Sequence, residues 1–205
     1  MVTIAERAYY TRRAPEYDDW YLGTGLYAAR HRPGWHEEVE ALKTVVACLH
    51  AGKFLDVACG TGFLTRLLKG RVVAIDQSPA MLRIARLRLP QGSVLQGDAF
   101  RLPFAAGSFD ILLTGHFYGH LEEPDRTRFL AEARRVAREL VIIDAALRPD
   151  IPAELIQERE LNDGSRHTVF KRYFTPAQLL AELDGGTILH AGDWFVAVRS
   201  PAQGI

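Results

Sequence analysis

The feature that most constrains the fold is a regular alternation of short apolar runs and amphipathic stretches, which begins near Lys53 and continues to Asp144. Short apolar runs are typical of strands buried on both faces, and the stretches between them repeat apolar side chains at helical spacing. Strands that alternate with helices form a parallel sheet, because each helix carries the chain back to the edge where the last strand began. The chain is therefore predicted to adopt an α/β fold.

The same pattern gives the expected positions of the strands and helices. Strands are predicted at Phe54–Ala58, Arg71–Ile75, Ser93–Gln96, Phe109–Thr114 and Leu140–Asp144, with a C-terminal β-hairpin of Thr187–His190 and Trp194–Arg199. Helices are predicted at Glu37–His50, Phe63–Lys69, Asp125–Arg138, Ala153–Leu161 and Ala177–Leu183, and after Ser78-Pro79, where a capping residue precedes a proline. Residues 1–36 are predicted to form short helical pieces broken at proline and glycine.

Charge and hydropathy narrow the class of protein. The chain carries 25 basic and 25 acidic side chains, so there is little electrostatic basis for binding a nucleic-acid backbone. Its apolar runs fall short of the ~20 residues that span a bilayer, and its first residues lack the apolar stretch of a secretory signal. Cys48 and Cys59 are expected to be reduced, buried side chains. We therefore predict one cytoplasmic domain over residues 1–205, with no membrane span and no nucleic-acid partner.

The clearest site signal is the octapeptide LDVACGTG at residues 55–62, in which a predicted strand runs into a glycine turn and then into a predicted helix. Glycine permits turn dihedrals that other residues avoid, and it lets a ligand approach the backbone closely. Asp76 ends the next strand, 20 positions after Asp56. A carboxylate at that place can accept hydrogen bonds from both hydroxyls of an adenosine ribose. This arrangement predicts a nucleotide-type cradle at the carboxyl edge of the sheet.

Two cofactor classes use such a cradle. A dinucleotide fingerprint requires a third glycine, and Thr65 occupies that position. Asp56 would also be poorly placed beside a pyrophosphate, whereas it suits a ligand that carries an ammonium. S-adenosylmethionine (SAM) is such a ligand, because it has an ammonium, a sulfonium and a ribose but no phosphate.

Four ordered segments resemble class I SAM-dependent methyltransferases, of the type that includes the menaquinone and ubiquinone C-methyltransferases. They are LDVACGTG at 55–62, AIDQSPAMLRIAR at 74–86, GDAFRLPFAAGSFDILL at 97–113 and FLAEARRVARELVIID at 129–144. The resemblance implies a three-layer, Rossmann-like, seven-stranded sheet flanked by helices, parallel except for the last strand, with a C-terminal β-hairpin. It also implies methyl transfer from SAM to a small-molecule acceptor, with S-adenosylhomocysteine (SAH) as product.

The resemblance further implies a set of cofactor-binding residues. They are Asp56, Ala58, Gly60, Gly62, Asp76, Gln77, Met81, Asp98, Ala99, Phe100 and Thr114. Asp56 would lie at the methionine end of SAM, Asp76 at the ribose hydroxyls and Asp98 at the adenine amino group.

The segment His116-Phe117-Tyr118-Gly119-His120 follows the fourth predicted strand. Two histidines are too few for a metal site, which takes three or four ligands, so no metal is expected. In the family, this loop borders the space between methyl donor and acceptor. His120, and with less preference His116, could therefore take a proton from the acceptor or position it, since a histidine pKa lies near physiological pH.

Seven tyrosines and tryptophans lie in the first 50 residues. Such side chains pair an apolar ring with a polar group and suit a partly wet lid, although they also pack in cores. Residues 1–36 are therefore predicted to form an aromatic lid, with Tyr10, Tyr17, Tyr21 and Tyr27 on the substrate side. Residues 145–173 are predicted to be a substrate-side insert.

Several alternatives stay open at the level of sequence. A SAM-binding sensor without catalysis would keep the same cofactor residues. An NAD-dependent oxidoreductase is disfavoured by Thr65, and a nucleic-acid methyltransferase by the neutral charge. The acceptor and the methylated element are open, and the protein is predicted to be a monomer or homodimer.

Overall fold

A computed structural model describes residues 4–201 and the side chains of residues 8–201. The ends of the predicted domain and lid, residues 1–3 and 202–205, lie outside the described residues. The helices are α1 (Ile4–Arg13), α2 (Asp19–Leu22), α3 (Trp35–Ala47), α4 (Pro79–Arg88), α5 (Glu123–Val136) and α6 (Pro176–Glu182). The strands are β1 (Gly52–Val57), β2 (Gly70–Asp76), β3 (Ser93–Gln96), β4 (Phe109–Gly115), β5 (Ala137–Ala145), β6 (Glu154–Glu160), β7 (Arg166–Arg172), β8 (Thr187–Ala191) and β9 (Phe195–Pro201). In the described part of the chain, no helix is long and apolar enough to cross a membrane.

Seven of the strands form one sheet in the order β3-β2-β1-β4-β5-β9-β8. The first five pair in parallel, whereas β9 runs antiparallel to both β5 and β8. This confirms the seven-stranded, Rossmann-like sheet with one antiparallel strand and a C-terminal hairpin. The strand order reverses between β1 and β4, which is the place where open α/β sheets bind ligands at the carboxyl ends of their strands.

Both faces of the sheet are covered, which gives the fold its three layers. Phe54 and Leu55 of β1 point to opposite faces, and neither side chain is exposed. Phe54 packs with Leu42 of α3, whereas Leu55 belongs to the cluster that contains Phe129 of α5. Burying such a side chain contributes about 1.5–3 kcal/mol. The continuous apolar runs of the sequence follow from this burial on two sides.

The predicted helix at Phe63–Lys69 is wrong, because this segment forms only a single 3₁₀ turn at Thr65–Leu67. The glycine turn takes up the chain after β1, and β2 already begins at Gly70. Too few residues remain between them for a longer helix. The hydroxyl of Thr65 also donates a hydrogen bond to the Asp56 carboxylate at 2.5 Å, which fixes the turn against β1.

The predicted helix at Ala153–Leu161 is also wrong. These residues form strand β6, which pairs with β7 in a separate two-stranded antiparallel sheet. Burial along β6 alternates strictly between exposed and half-buried residues, as in a strand with one covered face. The turn between the strands contains Asp163-Gly164, with Gly164 in a left-handed conformation at φ 77°, and this dipeptide favours a hairpin. Helix-forming residue types concealed that signal.

The β6–β7 hairpin and the N-terminal segment lie together over the carboxyl edge of the main sheet. The hairpin follows β5, which ends at that edge, and its Asn162 N–H donates a hydrogen bond to Glu16 at 2.8 Å. Tyr9 of α1 packs with Leu161 and Val169 in a small apolar cluster. The two segments that the sequence assigns to the substrate side therefore contact one another.

The two cysteines are free thiols, but their predicted burial is wrong in part. Cys48 is exposed at the end of α3, and Cys59 is half-buried in the glycine turn.

Candidate active site

The turn after β1 is held in an unusual backbone conformation. Ala58, Gly60 and Gly62 have φ values of 59°, 56° and 76°, a region that costs an alanine about 1–2 kcal/mol. The Gly60 N–H donates a hydrogen bond to Asp76 Oδ2 at 3.0 Å, and the Ser78 N–H donates one to Asp76 Oδ1 at 2.8 Å. Asp76 therefore ties the β1 turn to the start of α4.

A cavity of about 340 Å³ opens at this edge of the sheet. It is lined by eight of the predicted cofactor residues, Ala58, Gly60, Asp76, Gln77, Met81, Asp98, Ala99 and Phe100. The structure thus brings together side chains from the ends of β1, β2 and β3, as the parallel sheet requires. Asp125, Val169 and Phe170 also line this cavity. Sequence reasoning missed them, because their place depends on how α5 and the β6–β7 hairpin pack.

Three predicted cofactor residues do not line this cavity. The Thr114 hydroxyl donates a hydrogen bond to Val57 O at 2.8 Å inside the sheet. Gly62 faces α4, where an added Cβ would lie 3.5 Å from Ala85. Asp56 lies behind the turn and is 3% exposed.

Asp56 nevertheless borders a smaller space of about 20 Å³. That space shares Ala58, Gly115 and Tyr17 with the larger cavity, so it is continuous with the same edge of the sheet. Burial raises the pKa of the Asp56 carboxyl to about 7, against the opposing effect of the Thr65 hydrogen bond. Among the described side chains, no cation pairs with it. A buried carboxyl of this kind suits a ligand that brings a positive charge.

His116 lies at the end of the cavity in a left-handed conformation, with φ at 56°. Its side chain is 8% exposed and packs against Trp20, Tyr21 and Phe195. Neither ring nitrogen has a hydrogen-bond partner among the described residues. Burial lowers the pKa of His116 to about 3, so its imidazole is neutral at physiological pH. The ring therefore offers both a donor and an acceptor to a ligand.

His120 has a defined tautomer. Its Nδ1 lies 2.7 Å from Phe170 O, and a carbonyl oxygen only accepts, so Nδ1 carries the proton. Nε2 is then the proton acceptor. Burial holds the pKa of His120 well below its usual value, which leaves this nitrogen unprotonated at neutral pH.

The loop between the two histidines is fixed by a buried ion pair. Asp144 accepts hydrogen bonds from the N–H groups of Gly119 and Ala145, each at 2.7 Å, and it pairs with Lys171 of β7. A Cβ at residue 119 would lie 2.5 Å from Arg172 O, which explains the glycine between the histidines. This pair joins β5, the histidine loop and the β6–β7 hairpin.

A second cavity of about 590 Å³ lies next to the first. Its walls come from residues 10–35, from the chain after β5, and from the hairpin. Tyr10, Tyr17, His116 and His120 line both cavities, so the two spaces meet at these four side chains.

The four predicted lid tyrosines have different surroundings. Tyr10 and Tyr17 lie at the junction of the cavities, and Tyr27 lines the second cavity. Tyr21 is 3% exposed and stacks on Phe63 in the core, with ring centroids 4.2 Å apart, and both side chains line the smaller space beside Asp56.

Asp18 connects the N-terminal segment to the turn after β1, and sequence reasoning missed it. It accepts a hydrogen bond from the Thr61 hydroxyl at 2.6 Å and forms an ion pair with Arg88 of α4. Tyr17, its neighbour, lies against Gly60, where an added Cβ would be 3.4 Å from the tyrosine ring. No motif in the sequence marks an aspartate for this contact.

Comparisons with known proteins agree with this geometry. A family described as "Methyltransferase domain" matches residues 55–142. A solved structure described as "DhpI-SAH complex structure" superimposes with a TM-score of 0.75 at 25% identity, and covers 98% of this chain and 97% of that one. The chain belongs to the class I SAM-dependent methyltransferases.

Relatives of this methyltransferase family member include longer proteins. The demethylmenaquinone methyltransferase of Thermotoga maritima is 41% identical over 100 residues, which cover 45% of this chain and 43% of that protein. The demethylmenaquinone methyltransferase of Lactiplantibacillus plantarum is 30% identical over 154 residues, 68% of this chain and 61% of that protein. The chain thus spans about half the length of these curated relatives.

The residues present fit SAM. The cradle has a strand-end carboxylate, Asp76, for hydroxyl groups, and a buried carboxyl, Asp56, that lacks a counter-charge. It also has a polar slot at Asp98, whose Oδ1 already accepts the Phe100 N–H at 2.9 Å.

Proposed function

We propose that this chain is a methyltransferase that binds SAM in the first cavity and a small-molecule acceptor in the second. One observation carries the proposal: the two cavities meet at a junction lined by Tyr10, Tyr17, His116 and His120. When bound, SAM supplies a methyl group on a sulfonium, which is already a strong electrophile. The residues proposed to hold it are Ala58, Gly60, Asp76, Gln77, Met81, Asp98, Ala99 and Phe100, with Asp56 at its ammonium end.

The chain's own contribution is to place the acceptor and to exclude water. Tyr10 and Tyr17 cover the junction from the N-terminal segment, and the β6–β7 hairpin closes the other side. Holding the reacting groups in line can supply several kcal/mol, about 7–11 in favourable cases. Thr114, inside the sheet, supports Val57 and the turn rather than contacting a ligand directly.

His120 is the group best arranged to accept a proton from the acceptor. Its Nδ1–H is committed to Phe170 O, and its Nε2 is unprotonated at neutral pH. His116 is proposed to position the acceptor through its two unpaired nitrogens.

We expect wild-type protein to form SAH when SAM is incubated with a panel of phenols, acids, amines and thiols. The His120→Gln variant loses the imidazole nitrogen that would accept the proton, so turnover should fall about 100-fold. SAH affinity, measured by calorimetry, should change far less. Because the histidine pKa is low, wild-type turnover should not decline between pH 8 and pH 6 as it would for a titrating histidine of ordinary pKa.

His50→Gln is the matched control, since His50 is exposed between α3 and β1. Undiminished turnover in His120→Gln would remove the proposed base. Wild-type protein that binds SAM and forms no SAH with the whole panel would overturn the enzyme proposal in favour of a SAM sensor. Binding of NAD in place of SAM would favour the oxidoreductase alternative.

We further propose that residues 1–36 act as a lid and residues 145–173 as the acceptor-side insert of a single domain. The contacts of Asp18 with Thr61 and Arg88 support this role, because they connect the N-terminal segment to the turn after β1 and to the C-terminal end of α4. Tyr10, Tyr17 and Tyr27 would then contact the ligands, while Tyr21 anchors the lid in the core.

The Asp18→Asn variant is expected to release SAH about tenfold faster than wild type, since it loses a charge-assisted contact. Arg88 keeps hydrogen bonds to Thr61, so the variant should fold normally. Dissociation followed by stopped flow measures the effect. Asp19→Asn is the control, because it removes a carboxylate charge from the same segment while its amide oxygen still accepts the Thr24 hydroxyl. Equal release rates in the two variants would contradict a lid held by Asp18.

A cytoplasmic location, a small-molecule acceptor without nucleic acid, and a monomeric or homodimeric state stay predictions.

A further inference from the structure

The second cavity is unusually rich in positive charge. Its lining contains six lysines and arginines and two glutamates, although the whole chain has no net charge. The six cations are Arg13, Arg30, Arg32, Arg148, Arg159 and Lys171.

The two glutamates do not balance this charge. Glu158 and Glu160 both pair with the exposed Arg166, at 3.2 Å and 3.5 Å. Arg148 pairs with Asp150 at 3.0 Å, and Lys171 pairs with Asp144.

Two of the remaining cations stack on aromatic rings. Arg30 is exposed and lies over Tyr27, with its guanidinium carbon 4.6 Å from the ring centroid. Arg32 lies 3.8 Å from the centroid of Trp35. The other two cations are Arg13, which is buried, and Arg159, which is half-buried.

Arg13 is a buried charge without a counter-charge among the side chains of residues 8–201. It is 4% exposed, and its guanidinium donates hydrogen bonds to the hydroxyls of Tyr9, at 2.5 Å, and Tyr27, at 3.5 Å. It also lies 5.0 Å from the ring centroid of Tyr17. Phenol groups solvate a cation but bring no opposite charge. A buried ion is ordinarily paired, because its desolvation is costly.

Arg159 has a similar setting on the opposite wall. It is half-buried on β6, and its one described hydrogen bond runs to Gln157 Oε1 at 3.0 Å, within the same strand. The guanidinium is thus held in place with donors to spare. Arg13 and Arg159 come from the two segments that enclose the cavity, so both walls present a cation to the same space.

The unpartnered ring of His116 completes the site. It is more than nine-tenths buried, it lines both cavities, and both of its nitrogens are available to a ligand. His116 and His120 line the second cavity together with Arg13, Arg159 and Lys171. Burial lowers the pKa of both histidines, and these three charges act in the same direction.

We propose that the second cavity binds an oxyanion group, a carboxylate or a phosphoryl, of the methyl acceptor, with Arg13 and Arg159 supplying its counter-charge. This inference rests on the proposed function, since it assigns the acceptor class of the same site. A guanidinium matches carboxylate and phosphoryl oxygens with paired donors. A neutral acceptor would leave both cations unbalanced.

The test is a titration of the SAH-bound full chain with methylphosphonate, acetate and neutral acetamide, followed by NMR chemical shifts. We expect at least one anion to bind and acetamide not to bind. Arg159→Gln should weaken the affinity for the anion by about 10- to 100-fold, the usual effect of losing a charged hydrogen bond. Arg138 is exposed at the amino end of β5, so Arg138→Gln should leave the affinity for the anion unchanged.

The pattern of anions identifies the group: methylphosphonate alone indicates a phosphoryl, and acetate alone a carboxylate. Acetamide binding as well as the anions, or equal affinity in Arg159→Gln and wild type, would overturn the inference. SAH binding in the same samples separates the two proposals. If wild-type protein binds SAH but neither anion, only the oxyanion site is refuted. If wild-type protein does not bind SAH, the proposed function is refuted.

Discussion

Replacing Lys171 by methionine is expected to lower the free energy of unfolding by about 3–5 kcal/mol, because it leaves the Asp144 carboxylate buried and unpaired. Asp144 is 0% exposed and Lys171 is 4% exposed, so water cannot replace the lost partner. Burial lowers the pKa of Lys171 and the neighbouring carboxylate opposes this, so the ammonium depends on Asp144 for its charge. Urea denaturation gives the free energy directly.

Lys43→Met is the matched control, because it breaks an ion pair with Glu40 on the surface of α3. An exposed pair of this kind contributes less than about 1 kcal/mol. The Lys171→Met/Asp144→Asn double variant should recover part of the loss, since an amide oxygen still accepts the Gly119 N–H. A cost for Lys171→Met no larger than for Lys43→Met would refute the buried-pair argument.

The Asp76→Ala variant is expected to weaken SAH binding by about 100-fold or more. In the proposed mode, its carboxylate accepts both ribose hydroxyls, and each hydrogen bond to a charged group contributes about 1.5–3 kcal/mol. The variant also frees the Gly60 and Ser78 N–H groups, so the turn loses its connection to α4. Calorimetric titration with SAH measures the affinity.

Asp110→Ala controls for the loss of an aspartate that accepts a backbone N–H. Asp110 accepts the Lys53 N–H at 2.8 Å, at the amino end of β4 and thus far from the cofactor edge. The Asp110→Ala variant should bind SAH with wild-type affinity. Wild-type affinity for SAH in the Asp76→Ala variant would refute the assignment of the first cavity to SAM.

Local sequence patterns predicted most of the fold. The buried strands read as continuous apolar runs, and Ser78-Pro79 marked the start of α4, where the Ser78 hydroxyl accepts the Met81 N–H. The errors arose where tertiary packing overrode local preference. β6 is rich in residues that favour helices, but it pairs with β7 and covers a cavity, and a strand's alternation in so polar a segment is weak in sequence.

The candidate site likewise contains residues that the sequence indicates and residues that only the folded chain reveals. The sequence could indicate that the proposed cofactor residues lie together, because they follow consecutive strands and a parallel sheet aligns the ends of those strands at one edge. The sequence could not indicate Arg13, Arg159 and Lys171 as site residues, since each is one charged residue among many. Only the folded chain distinguishes the buried guanidinium of Arg13 from exposed arginines such as Arg138.

The β6–β7 hairpin leaves and rejoins the main fold at a narrow neck. Phe174 exchanges backbone hydrogen bonds with Ala145 and Leu147, and the Tyr173 N–H donates to Ala153 O. Changing the length of an excursion between two fixed ends costs little, because closure entropy grows only slowly with length. A hairpin of another length or sequence would therefore change the lining of the second cavity at little entropic cost, provided that it keeps Lys171, the partner of Asp144, and the Phe170 carbonyl that accepts the His120 N–H.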